Sequence, residues 1–322
     1  MTAPLLRIEG LTKVYPAPRG LFRRARPATR AIDGISFDIL SGESLGLVGE
    51  SGCGKSTTGR AVLQLVQPSS GRVLYDGEDL TALPPERIRL LRREMQMIFQ
   101  DPYSSLDPRM RVEDLIAEPL DIHGIARGPA RAARVAELLE AVGLPKTALR
   151  RHAHEFSGGQ RQRIGIARAL ALSPRFIVAD EAVSALDVSI QAQIVNLMQD
   201  LQQQFGLTYL FISHNLNVVR HISDRVGVMY LGNLVEIGPR DAVFGSPLHP
   251  YTRALIDASP SLKARGRHRT RPPIAGEVPK PDAVLRGCVF RNRCGEASAI
   301  CTTERPRPRQ VQGRTVSCHN LS

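Results

Sequence analysis

No stretch of this 322-residue chain is apolar enough to make a membrane helix, which needs about 20 mostly apolar residues. The longest uncharged span, Leu201 to Val219, holds three glutamines, two asparagines and a histidine. No N-terminal stretch has the basic, apolar, small-residue order of a signal peptide. Both absences lead to the expectation of a soluble chain, long enough for one large or two smaller domains. Acid is scarce in two places. Residues 19–30 carry five arginines and no acid, and residues 263–322 carry thirteen Lys/Arg against four Asp/Glu. Together they exceed the net charge of +12, so the remainder is close to neutral. A nucleic-acid enzyme more often spreads a basic stripe across its core. Charge confined to a loop and a tail suits anionic lipid headgroups at least as well, or a solvated run with no partner.

What is present begins with nine residues, Gly49-Glu50-Ser51-Gly52-Cys53-Gly54-Lys55-Ser56-Thr57. They fit Gly, four residues, Gly-Lys-Ser, the phosphate-binding loop. Leu45 to Val48 reads as a buried strand entering the loop, and Thr57 to Val66 as the helix leaving it. The glycines let backbone N–H groups turn inward around a phosphate, and the helix N-terminus adds partial positive charge. Lys55 is placed to reach the outer phosphates of a nucleotide, and the Ser56 hydroxyl to ligate Mg²⁺. Cys53 fills space within the loop.

The spacing predicts strands over Leu5–Lys13, Ala31–Leu40 and Gly71–Asp76, an antiparallel β layer around the phosphate loop. Ala132, Val135, Leu138, Leu139 and Val142 recur at three and four residues, the stripe of an amphipathic helix that Gly143 and Pro145 stop. Residues 101–156 therefore read as a helical insertion. Buried strands resume at Phe176–Ala179 and Tyr209–Ile212, with the helix Ile190–Phe205 between them, and Arg225–Tyr230 and Asn233–Ile237 close the domain. From Lys263 onward the chain is a Pro/Arg-rich linker and then a short tail with Cys288, Cys294, Cys301 and Cys318.

Phe156-Ser157-Gly158-Gly159-Gln160 decides among the many nucleotide hydrolases that share a phosphate loop. Ser157 and Gln160 stand in capping-box spacing at a helix start, an N-terminus suited to an anion. The run resembles the signature motif of the ABC ATPases, with Phe156 for the leading Leu, and the resemblance covers roughly residues 5–262. Phe176 to Glu181 then looks like that family's second carboxylate motif. The resemblance implies that Asp180 holds Mg²⁺ and Glu181 activates the attacking water. Ser184-Ala185-Leu186-Asp187 is similar to the D-loop, His214 to the switch histidine, Gln100 to the Q-loop residue that senses Mg²⁺, and Tyr15 to the aromatic that stacks on adenine. The implied site is therefore Glu181, His214 and Gln100 for catalysis. ATP would lie on Tyr15, Gly49, Ser51, Gly52, Cys53, Gly54, Lys55, Ser56 and Thr57 of one chain. Ser157, Gly158, Gly159 and Gln160 would complete the site of a partner. Ser56, Gln100 and Asp180 would surround Mg²⁺.

Within the family, Ile98 to Arg109, Asp180 to Ser189, Ser246 to Thr252 and the tail cysteines resemble the oligopeptide/dipeptide importer ATPases, although that group usually has Asn where Asp107 stands. Related members are similar to transporters of nickel, glutathione or opines. The implied fold is an α/β P-loop domain of ABC type over residues 1–262. It would carry a helical signature subdomain at about 101–172 and a cysteine-bearing extension over 263–322. The implied partners are a second ATPase, most commonly a paralogue, two transmembrane permease subunits and an extracytoplasmic solute-binding protein, with no nucleic acid. The implied place is the cytoplasmic face of the cell membrane.

The cysteine spacers of five, six and sixteen residues are unlike the paired Cys-x-x-Cys of common zinc ribbons. A cytosolic setting disfavours disulfides. A [4Fe–4S] cluster, zinc and unligated thiols all remain open, and the resemblance favours the cluster. The competing class is a soluble ABC ATPase acting on ribosomes or DNA. Such translation factors usually carry two cassettes, and the 56 residues between Gln100 and Ser157 leave no room for the insertions of the repair enzymes.

Overall fold

The computed structural model describes residues 3–16, 28–101, 105–259 and 286–321. Most of the arginine-rich loop at 19–30, the Q-loop residues Pro102, Tyr103 and Ser104, and the linker beyond Lys263 up to 285, including the expected domain boundary at 262/263, lie outside the described residues. The chain divides into two compact units, one formed by residues up to 4, 39–44 and 82–222, the other by 5–38, 45–81 and 223–322.

The second unit contains an antiparallel layer built on β1 (Leu6–Tyr15), with β2 (Thr29–Ile39) beside it. On its other side β4 (Ser70–Tyr75) pairs Leu6 with Tyr75 and Ile8 with Val73, and β5 (Glu78–Asp79) follows. Leu6, Ile8, Val73 and Tyr75 are buried. Alternation along β1 thus gives one face to the core, as a half-covered antiparallel sheet requires. The same unit holds β3 (Ser44–Val48), which lies parallel to β9 (Arg225–Tyr230) with Leu47 opposite Gly227. β10 (Asn233–Pro239) returns antiparallel to β9.

The tail differs from the sequence expectation, which gave it no regular structure. Two three-residue strands, β11 (Arg309–Val311) and β12 (Arg314–Val316), form a hairpin, and β12 pairs with β10, Glu236 opposite Val316. Gln312 and Gly313 turn it with φ of 50° and 72°, the left-handed pair that suits the right-handed twist of a two-residue hairpin. Arg314, 2% exposed, meets Glu236, which is fully buried, at 3.4 Å. The Glu236 carboxylate also accepts the backbone N–H groups of Leu248 and His249. A buried charge pair is tolerable only when such extra hydrogen bonds satisfy it.

The first unit contains three parallel strands, β6 (Met95–Ile98), β7 (Phe176–Asp180) and β8 (Thr208–Ile212), with Phe176 opposite Met95 and Thr208. Every residue of β7 and β8 is buried, which is why both read as unbroken apolar runs. The helical insertion is as expected. It comprises helices at Val112–His123 and Gly128–Ala141, the latter burying Val135, Leu138 and Leu139. Gly143, at φ 69°, follows its end. The helix Gly158–Leu170 carries the signature run, and Val188–Phe205 connects β7 to β8.

Candidate functional site

In the second unit, β3 delivers the chain into Gly49, and the helix Lys55–Val62 leaves the loop. Gly54 caps that helix at φ 105°, and a Cβ there would run into the Ala31 carbonyl, so the position needs glycine for both angle and space. Lys55 is 4% exposed, and its ammonium donates to the carbonyls of Gly49 at 2.8 Å and Glu50 at 3.0 Å. Ser51 and Gly52 are exposed, and Ser56 and Thr57 lie half-buried in the first helical turn. Cys53 is buried. Burial pushes its thiol pKa up against the opposing pull of the Lys55 charge, which leaves it a neutral packing group. Tyr15, at the end of β1, keeps an exposed ring with the Lys13 ammonium 5.1 Å from its centroid.

In the first unit, residues far apart in sequence converge on one carboxylate. Asp180 ends β7 with 2% exposure. Glu181 follows with φ 49°, a left-handed conformation that costs a residue with a Cβ roughly 1–3 kcal/mol. Its amide donates to the Ile212 carbonyl at 2.9 Å, and the Glu181 carbonyl accepts the Ser184 hydroxyl at 2.9 Å. The turned backbone presents the carboxylate to two partners on Oε2. The Gln100 side-chain amide donates to it at 3.1 Å, and His214 Nδ1 lies 3.3 Å away. The three residues expected to be catalytic thus meet at one atom. In the same unit Ser157 and Gln160 close the expected capping box. The Ser157 amide donates to Gln160 Oε1 at 3.1 Å, and the Gln160 amide donates to Ser157 Oγ at 3.4 Å. Phe156 is buried beneath the Arg151 guanidinium, whereas Ser157 and Gln160 stay exposed. A Cβ at Gly159 would come within 2.6 Å of the Ile190 Cγ2, so a larger residue there would require Ile190 to shift.

Sequence reasoning missed a third group, again in the second unit. Arg293, on the turn before Cys294, grips the Glu50 carboxylate with both terminal nitrogens at 2.7 and 3.0 Å. The Glu50 amide donates to the Tyr251 hydroxyl at 2.9 Å. Phe290 packs against both Tyr230 and Tyr251, with ring centroids 5.2 and 5.4 Å apart. The cysteine tail is therefore fastened to the phosphate loop itself. No local pattern signals an ion pair between residues 243 positions apart.

The four tail cysteines share one neighbourhood. Burial raises the thiol pKa of Cys288, Cys294 and Cys318. The backbone N–H groups of Phe290, Glu296 and Asn320 oppose the rise at the respective sulfurs, and the charges of the other cysteines reinforce it. Among the described residues, however, no group of three or more His, Cys, Asp or Glu side chains is gathered closely enough to hold a metal ion. The expectation of a cluster or zinc thus finds no metal-ion site behind it.

Comparison with known proteins settles the family. The ABC transporter family matches residues 32–184, and the oligopeptide/dipeptide transporter C-terminal region matches residues 235–301. The oligopeptide transport ATP-binding protein AppF of Bacillus subtilis is 49% identical over 321 residues, covering 99% of this chain and 98% of its own. The chain belongs to the ATP-binding subunits of ABC transporters. Solved ABC proteins share its fold. The cassette MJ0796, in a dimeric post-hydrolysis state bound to ADP and Pi, superposes with a TM-score of 0.65 at 28% identity, over 73% of this chain and 98% of that one. CbiO1 of Clostridium perfringens, part of the ABC transporter complex cbiONQ, superposes with a TM-score of 0.66 at 26% identity, over 76% of this chain and 92% of its own. This ABC subunit is an ATPase, and no helix among its described residues is long and apolar enough to cross a membrane.

Proposed function

We propose that this chain hydrolyses ATP to drive import of peptides through a membrane permease. The observation that carries the reading is the convergence of Gln100, Glu181 and His214 on one carboxylate oxygen. The oligopeptide transport function of the 49%-identical relative and the match to the oligopeptide/dipeptide C-terminal region supply the substrate class. Phosphoryl transfer to water asks for positioning and charge stabilisation more than for covalent chemistry. The nucleotide would stack on Tyr15, with its phosphates on the amides from Gly49 to Thr57 and its outer phosphates on Lys55. By the family resemblance Ser56, Asp180 and Gln100 would hold Mg²⁺, which would offset charge on the phosphates. Glu181 takes a proton from the attacking water, and His214 steadies the carboxylate.

The Ser157–Gln160 run, exposed at Ser157 and Gln160, would complete the site of a second ATPase, a reading that the dimeric state of MJ0796 supports. The chain would work at the cytoplasmic face of the membrane with a paralogous ATPase, two permease subunits and an extracytoplasmic solute-binding protein. Residues 1–262 would form the ATPase domain, with its helical subdomain at about 101–172, and residues 263–322 the extension. For the four cysteines, the family resemblance alone favours a [4Fe–4S] cluster over zinc. Iron and sulfide in an anaerobic preparation would support the cluster, and a colourless, iron-free one would remove it.

The test of the hydrolytic reading is Glu181→Gln. ATP binding should persist while turnover falls about 10²–10⁴-fold, the scale for loss of a general base. Near-normal turnover would sink the assignment of Glu181.

A further inference from the structure

Glu50 places a carboxylate inside a loop whose chemistry is to hold an anion. Its backbone carbonyl already receives the Lys55 ammonium, so the side chain belongs to the same short segment as the phosphate-binding lysine. An uncompensated negative charge there would repel a polyphosphate, because the separation within one loop is comparable with the Debye length of about 8 Å at physiological salt. The compensation comes from the far end of the chain. Arg293 is 7% exposed at its side chain, Glu50 24%, and the two meet in a parallel two-nitrogen fork. The guanidinium also lies over the Tyr230 ring, 5.8 Å from its centroid, and reaches the Tyr230 hydroxyl at 3.4 Å. Phe290 on the same tail turn is buried against Tyr230 and Tyr251. The fork is thus held by packing on both sides, which makes it a persistent contact, unlike a typical exposed ion pair.

We propose that Arg293 is a positioning residue for the phosphate loop, neutralising Glu50 so that docking of the cysteine tail sets the affinity for the nucleotide phosphates. The proposal rests on reading the Lys55 loop as the ATP site. It separates the tail's role from that of a mere stabilising extension. A stabiliser would act through folding alone, whereas a neutralising charge acts on anion binding and is screened by salt.

The experiment is equilibrium binding of MgATP to the purified full chain, for the wild type and the variants Lys55→Ala, Arg293→Met, Arg293→Lys and Glu50→Gln/Arg293→Met, each at low and high salt. Wild-type binding that Lys55→Ala abolishes establishes the ATP site independently of Arg293. Arg293→Met should then weaken binding about 5- to 20-fold, within the usual span of coupling between two sites. The deficit should shrink as salt rises. The double variant should return close to wild type, because the charge and its neutraliser leave together. Arg293→Lys, which keeps the charge but loses the fork, should bind better than Arg293→Met, and it serves if the methionine variant does not fold. Wild-type affinity in Arg293→Met, a salt-independent deficit, or a double variant no better than the single would overturn the proposal. Failure of the wild type to bind would instead overturn the ATP reading of the loop.

Discussion

At the scale of single residues, one of the chain's left-handed non-glycine positions falls in the candidate site. Glu181 holds φ 49° immediately after a fully buried strand, and its carboxylate is aimed at Gln100 and His214. His214→Ala should leave ATP binding intact and lower turnover, less than Glu181→Gln does, because the histidine acts through the carboxylate. Comparing the two turnover rates under saturating MgATP checks this ordering. A second residue carries a pH signature. His249 is 1% exposed, and its Nδ1 accepts the Tyr251 N–H at 3.0 Å. Burial first, and the nearby Arg253 charge second, depress its pKa from 6.5 to about 3. The unfolded chain therefore binds a proton that the folded chain refuses between those values. The stability from neutral His249 is complete above pH 6.5 and is lost as pH falls towards 3, at about 1.4 kcal/mol per pH unit. Urea unfolding from pH 7 to pH 4 should show that slope, and His249→Asn should reduce it by about one proton. An unchanged slope in the variant would place the effect elsewhere.

At the scale of elements, the fold was legible wherever one segment supplied its own pattern. Phe176–Asp180 and Thr208–Ile212 are buried on every residue, which is why they read as short unbroken apolar runs, the pattern of interior strands. The stripe through Val135, Leu138 and Leu139 reports a helix with one covered face. Ser157 and Gln160 announced a capping box, and they form one. Ser157→Ala should cost about 1 kcal/mol of stability through the lost cap, measurable by urea unfolding. It should cost more in turnover, since the exposed hydroxyl would serve a partner's nucleotide. Loss of stability with unchanged turnover in the assembled transporter would reduce Ser157 to a cap. The hairpin of β11 and β12 was not legible. Three-residue strands such as Arg309–Val311 carry too little alternation to stand out, and they form only because β10 offers an edge and Glu236 a buried counter-charge for Arg314. The Arg293–Glu50 fork was hidden for the same reason, since it belongs to the tertiary fold and to no local period.

At the scale of the whole molecule, the chain belongs to the ATP-binding subunits of ABC transporters, and no helix among its described residues is long and apolar enough to cross a membrane. The proposed split of the ATP site between two chains would make hydrolysis depend on closure, and that dependence would let closure drive a permease. The central claim is that this turnover energises peptide import, and the most direct measurement is ATP hydrolysis by the complex recovered from native membranes and reconstituted in vesicles, with candidate peptides and their binding protein added. Two permease subunits and a second ATPase should be co-recovered, with turnover that rises when peptide and binding protein are supplied together and disappears with Glu181→Gln. Recovery with ribosomes or DNA-repair proteins, and turnover indifferent to peptide, would contradict the claim.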